Sequence, residues 1–132
     1  MIAVPDWASY PNFSEAEFRC PCGCGRAEME AGFLGRLQGL RRVYGRPMRV
    51  ASGFRCPPHN GAVSTTGPDG PHTTGCAVDI SVAGPDALRL LDLALRHGFT
   101  GFGLMQRGMG RFVHLDDLES AADRPRPTIW TY

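Results

Sequence analysis

Residues 76–82 read CAVDISV, and their alternation decides the fold. In an extended chain Cys76, Val78, Ile80 and Val82 share one side while Ala77, Asp79 and Ser81 share the other, which predicts a strand with one face on a core. Asp79 stands in the middle of it. A buried, unpaired carboxylate is costly, so Asp79 calls for a neutralising partner. Residues 111–116, RFVHLD, repeat the pattern, with Val113 and Leu115 on the apolar side and His114 and Asp116 on the other.

Outward from these strands the chain alternates short elements with turns. Ser14 and Glu17 form a capping box for a helical turn to about Arg19, after an extended arm over residues 1–13. From Met29 to Tyr44, Phe33, Leu34, Leu37, Leu40 and Tyr44 recur at helical spacing, and Gly45 and Pro47 stop the helix. MRVAS (48–52) reads as a strand, and residues 53–75 as a long loop rich in Gly, Pro, Ser and Thr. Gly84, Pro85 and Asp86 open a second helix that Gly98 closes, with Leu90, Leu91, Ala94 and Leu95 on its inner face. GFGLM (101–105) pairs with RFVHLD across a turn, and the tail through Trp130 has no periodicity. The expected class is α+β: two main helices on a small, largely antiparallel sheet that carries Asp79 and His114 on its open face.

Composition narrows the function. The chain has 132 residues, 42% hydrophobic and 20% charged, which suits one domain over 1–132 that folds without a staple. Fourteen basic residues oppose 13 acidic ones, so charge alone draws the chain to neither nucleic acid nor membrane. Every basic residue is Arg, which removes Schiff-base lysine chemistry. The N-terminal stretch lacks the basic region and apolar core of a signal peptide, and no apolar run reaches membrane-spanning length. Five cysteines cannot all pair, and Cys20, Cys22 and Cys24 crowd into CPCGCG. With Cys56 they offer a second, four-thiol metal set, the alternative being reduced thiols that hold an irregular loop.

His97, in the last turn of its helix, complements the helix terminus. His72 and Asp79 flank HTTGCAVD; fully extended they would lie roughly 23 Å apart, and a turn at Gly75 brings both to one centre. Singly, His72 reads as a loop histidine, Asp79 as a turn residue and His114 as a half-buried strand residue. Together with Zn2+ they leave a fourth position open, the arrangement of a hydrolytic site.

The chain resembles the zinc D-Ala-D-Ala carboxypeptidase and murein endopeptidase family, kin to the vancomycin-resistance dipeptidases and the Hedgehog signalling domain. The resemblance rests on FSEAEF, SGFRCPPHN, HTTGCAVDI, FVHLD and the terminal IWTY, in family order from Phe13 onward. It implies one zinc per chain with His72, Asp79 and His114 as ligands, Arg55 holding the substrate carbonyl, and His59 and Asn60 lining the substrate loop. In two places the chain departs from the family. Gly70 replaces a serine two residues before the first ligand, and Arg111 stands where several branches carry the catalytic carboxylate. Another branch has an Asp two residues after the last His. Asp116 therefore becomes the expected general base or orienter, ahead of Asp117, which faces the opposite side of the strand.

The resulting expectation is a monomeric zinc peptidase acting on the stem peptides of bacterial peptidoglycan, as a carboxypeptidase or an endopeptidase. A phage or prophage lysin suits it, cytoplasmic until lysis or carried on a virion, with a host murein enzyme as the alternative. The rival readings are a zinc-binding or structural module without catalysis, for example of a phage tail, and an interaction module built on a second metal at the cysteine cluster.

Overall fold

A computed structural model describes residues 4–132, so the part of the N-terminal arm at 1–3 lies outside the described residues. Five strands, β1 (Arg49–Ser52), β2 (Ala77–Ser81), β3 (Gly101–Met105), β4 (Phe112–Asp116) and β5 (Thr128–Thr131), form one sheet in the order β1-β2-β4-β3-β5. All neighbours are antiparallel except β3 and β5, which run parallel. Four helices accompany it: α1 (Glu15–Phe18), α2 (Ala31–Tyr44), α3 (Pro57–Val63) and α4 (Gly84–Arg96). The α+β architecture and the largely antiparallel sheet match the sequence expectation.

The apolar face of the sheet, with Val78, Ile80, Val113, Leu115 and Phe102, packs under α2 and α4. From α2 come Phe33, Leu34, Leu37, Leu40 and Tyr44, all buried, as the spacing requires. Gln38 is also buried in this helix, and it exchanges hydrogen bonds with the backbone N–H (3.1 Å) and side-chain oxygen (2.6 Å) of Asn12. That exchange pins residues 4–13, which do not run as a free arm: a 3-10 turn at Trp7–Ser9 leads into buried Tyr10 and Phe13. On α4 the inner face is Ala87, Leu90 and Ala94 with Leu91 packed against them, whereas Leu95 is 60% exposed.

Two elements were not legible in advance. The stretch 53–75 contains α3 and 3-10 turns at Gly67–Asp69 and Pro71–Thr73. Pro57 and Pro58 occupy the first turn of α3, where a missing N–H costs nothing. The tail forms β5 on the sheet edge, beside β3.

Gly75 makes the predicted turn, with φ of +77°. Its Cα admits no side chain, because a Cβ there would collide with the Glu28 carbonyl. That turn carries the chain from His72 into β2.

Candidate functional site

The polar face of the sheet is built in lateral rows. Asp79 pairs with His114, His114 with Gly103, and Gly103 with Trp130, so four strands contribute to one row. In the adjacent row Ala77, Asp116, Gly101 and Thr128 are aligned. The glycines provide the space: a Cβ at Gly103 would lie 2.6 Å from the Trp130 indole nitrogen, and one at Gly101 would enter the Asp116 carboxylate.

His72, delivered by the turn before Gly75, completes the centre. Its Nε2 lies 3.2 Å from Asp79 Oδ1 and 3.3 Å from His114 Nδ1, which is itself 3.1 Å from the same Oδ1. All three residues are buried. The outer nitrogens settle the tautomers. His72 Nδ1 donates to the Gly53 carbonyl at 2.7 Å and His114 Nε2 to Asp116 at 2.8 Å, since neither acceptor can donate in return. In the neutral rings, the inner nitrogens therefore point lone pairs at a carboxylate oxygen that also only accepts.

Three acceptors facing one another require a cation. Tetrahedral bonds of about 2.0 Å separate ligand atoms by about 3.3 Å, which these spacings match, and two imidazoles with one carboxylate suit zinc. Without the ion, a proton shared among these atoms takes the cation's place. Burial opposes charge on Asp79, but hydrogen bonds from His114 and His72 hold its carboxyl below the ordinary range. Burial likewise opposes charge on His114, and Asp116 and Asp79 outweigh it to raise the imidazole's pKa.

Arg55 borders the centre from the segment after β1. Its Nε donates to Ser52 Oγ (3.1 Å), Nη1 to Asn60 Oδ1 (3.2 Å) and Nη2 to Asp79 Oδ2 (3.4 Å). Asp79 thus offers Oδ1 to the histidines while Oδ2 is held by Arg55. Three of the five guanidinium N–H bonds are used, leaving one on each terminal nitrogen.

The centre opens into a cleft of about 940 Å³. One wall is the 63–72 segment, and the other is residues 123–126 with Trp130, Thr131 and Tyr132. Arg124 and the exposed carboxylates Asp69 and Asp123 line it. Trp130 stands over His114 with ring centroids 5.0 Å apart, and the Arg126 guanidinium covers Trp130 at 5.3 Å.

Several expected residues sit differently. Asp116 is wholly buried on the far side of the His114 ring from the other ligands, with both oxygens engaged by Arg126. Burial alone would raise its carboxyl, but His114 and Arg126 bring it down to about 2. Asp116 is not among the residues lining the cleft, and its carboxylate faces the His114 ring. Asp117 faces away, as expected, and pairs with Arg36 at 3.3 Å. His59 is not among the residues lining the cleft. Nor is Asn60, only 1% exposed: its amide donates to Thr66 Oγ1 (2.9 Å) and to the Gly67 carbonyl, so it braces Arg55 and the loop and is closed to substrate. Gly70 fits the same network, since a Cβ there would lie 2.7 Å from the Asn60 amide nitrogen and would collide with Thr66. Arg111 is exposed just before β4 and does not line the cleft.

Arg126, Arg124 and the Gly53 carbonyl were missed by sequence reasoning. A backbone acceptor leaves no mark on a sequence, and the two arginines lie in RPRP, which has no period. GFGLM did carry a signal, two glycines alternating onto the face that must admit Asp116 and Trp130.

Comparison with curated proteins gives no match. The family model described as Peptidase M15 matches residues 11–116, most of the chain, and includes His72, Asp79 and His114. Arg126, Trp130 and Tyr132 lie beyond that span. M15 peptidases depend on zinc, and the acceptor triangle is where this chain can hold it. The chain belongs to the Peptidase M15 family of zinc metallopeptidases.

Proposed function

We propose that this peptidase hydrolyses peptide bonds in the stem peptides of bacterial peptidoglycan. The observation that carries the reading is the acceptor triangle of His72, Asp79 and His114 at the floor of the cleft. Zinc held there would supply Lewis acidity, acidifying water and polarising a carbonyl.

The remaining work falls to the chain's own side chains. The two unused N–H bonds of Arg55 are donors for the carbonyl oxygen as it gains charge, and they are pre-set by Ser52, Asn60 and Asp79. Asp116 and Gly53 orient His114 and His72 and keep the inner nitrogens unprotonated. Asp116 is a positioning residue in this scheme. The scheme's proton acceptor is one of the two exposed carboxylates lining the cleft, Asp69 or Asp123. Arg124 donates to the Glu119 carbonyl and has no ion-pair partner among the described residues, so its charge is available to a peptide carboxylate. Stem peptides are rich in such groups. Lysis or a virion would bring the protein to the cell wall.

Burial of Asp116 also favours a second reading, a zinc-holding module without turnover, because it takes the sequence-matched carboxylate out of the cleft. Mass spectrometry of purified peptidoglycan fragments, incubated with zinc-loaded protein and with a chelated control, separates the two. New, zinc-dependent peptide termini are expected. Unchanged fragments together with full zinc occupancy would establish the second reading instead.

A further inference from the structure

The sequence's unused motif, CPCGCG, comes together in space with a cysteine from another segment. Sγ of Cys20 lies 3.5 Å from that of Cys22 and 3.7 Å from that of Cys56, and Cys22 and Cys56 are 3.6 Å apart. With Cys24 the four sulfurs lie within 4.8 Å of one another. We propose that these four cysteines hold a second, structural zinc ion, separate from the peptidase centre.

The spacing fits this occupant. Four thiolates at about 2.3 Å from one zinc are separated by about 3.8 Å, close to the three distances observed. A disulfide would need its two sulfurs at about 2.05 Å, and no pair is joined. An iron–sulfur cluster spreads its four thiolates around several irons and does not fit sulfurs this close. All four positions being protein sulfur, the site is closed, as in structural and not catalytic zinc.

The chain is shaped to present these sulfurs. Cys20 and Cys56 are buried, at 3% and 4% exposure, while Cys22 and Cys24 sit on the exposed loop that folds over them. The N–H of Cys20 donates to the Arg26 carbonyl at 2.7 Å and closes that loop. The N–H of Cys56 donates to Cys20 Sγ at 3.4 Å, a bond that favours a thiolate there. Binding releases the thiol protons to solvent and needs no oxidant.

The location gives the ion a role. Cys56 follows Arg55 directly, and Gly53, whose carbonyl holds His72, lies three residues before it. The N–H of Phe54 donates to the Phe18 carbonyl at 2.9 Å, joining residues 53–56 by backbone to the end of α1, just before the cysteine loop. Zinc on the four thiols would clamp the 20–26 loop to residues 53–56, and so steady Arg55 and His72 from behind.

The test is metal analysis of the full chain purified with zinc and a reductant. Two zinc ions per chain are expected. Cys22→Ser and Cys24→Ser should each reduce the count to one, and His114→Ala should also leave one. Cobalt(II) substitution covers the case in which a cysteine variant does not fold. Only the cysteines offer thiolate sulfur, so thiolate-to-cobalt charge-transfer absorption in the unmutated chain, and its survival in His114→Ala, would support the site. A single zinc lost with His114→Ala, cobalt spectra without thiolate bands, or five thiols freely reactive in the zinc-loaded protein would each overturn it. None of these readouts depends on peptidase activity, so failure of the proposed function would leave them unaffected.

Discussion

Arg126 grips Asp116 with two hydrogen bonds, Nε to Oδ1 at 2.9 Å and Nη2 to Oδ2 at 2.8 Å. The pair is buried, and it stands behind a metal ligand, because Asp116 Oδ2 also receives the N–H of His114. Arg126→Met would leave a carboxylate buried without its counter-charge, a loss on the order of 3–5 kcal/mol. Thermal unfolding measures it. Acid adds a sign. The Asp116 carboxyl is depressed from 3.8 to about 2, so its contribution is complete above about pH 4 and is lost as pH falls through 2. In Arg126→Met, acid unfolding of the metal-free protein should begin at higher pH, and an unmoved acid limb would mean that the pair contributes nothing.

Asp116→Asn separates orientation from proton transfer. As a positioning residue Asp116 should cost about 10- to 100-fold in zinc affinity when replaced, with activity recovering as zinc is raised to saturation. A loss of about 10²- to 10⁴-fold that persists at full occupancy is the signature of a general base, and would return that role to Asp116.

Arg55→Ala tests the donor role. Zinc content should stay near that of the parent protein, while turnover of a peptidoglycan peptide falls by about 10² or more, the scale for losing one oxyanion donor. Turnover unchanged with zinc retained would reduce Arg55 to a partner of Asp79.

Gly101→Ala places a methyl inside the Asp116 carboxylate, and Gly103→Ala one against the Trp130 indole. Each should destabilise by about 1–3 kcal/mol through overpacking. Only Gly101→Ala should also weaken zinc binding, by displacing the carboxylate that holds His114. Equal zinc affinity in the two variants would show that the Asp116 position does not matter to the metal.

Removing zinc with a chelator should lower the melting temperature. Ligand at 100 times its dissociation constant adds about 2.7 kcal/mol, which for a chain of this size is a shift of roughly 10 °C. A melting temperature indifferent to chelation would mean that the folded chain does not hold the ion.

The readable parts of this molecule are those where one residue's chemistry sets one local choice. The α2 stripe from Phe33 to Tyr44, the alternation around Asp79 and His114, and the turn at Gly75 are of that kind. α3 was hidden because Pro57 and Pro58 read as loop, although the first helical turn accepts them. β5 was hidden because it lies on an edge with Ile129 57% exposed, so its alternation lacks an apolar side. The position of Asp116 depends on Arg126, ten residues on, and only the returning strand makes them neighbours. Contacts across elements are invisible to spacing.

The parallel placement of β5 has a consequence for synthesis. All three acceptor residues have been made by residue 114, but the strand bearing Trp130, and Arg126 just before it, is delivered to the edge of β3 last. A nascent chain that has emerged only to Asp117 would own its metal-gathering side chains without the far wall of the groove or the grip on Asp116. The metal-gathering side chains thus precede in the sequence both the far wall of the cleft and the arginine that holds Asp116.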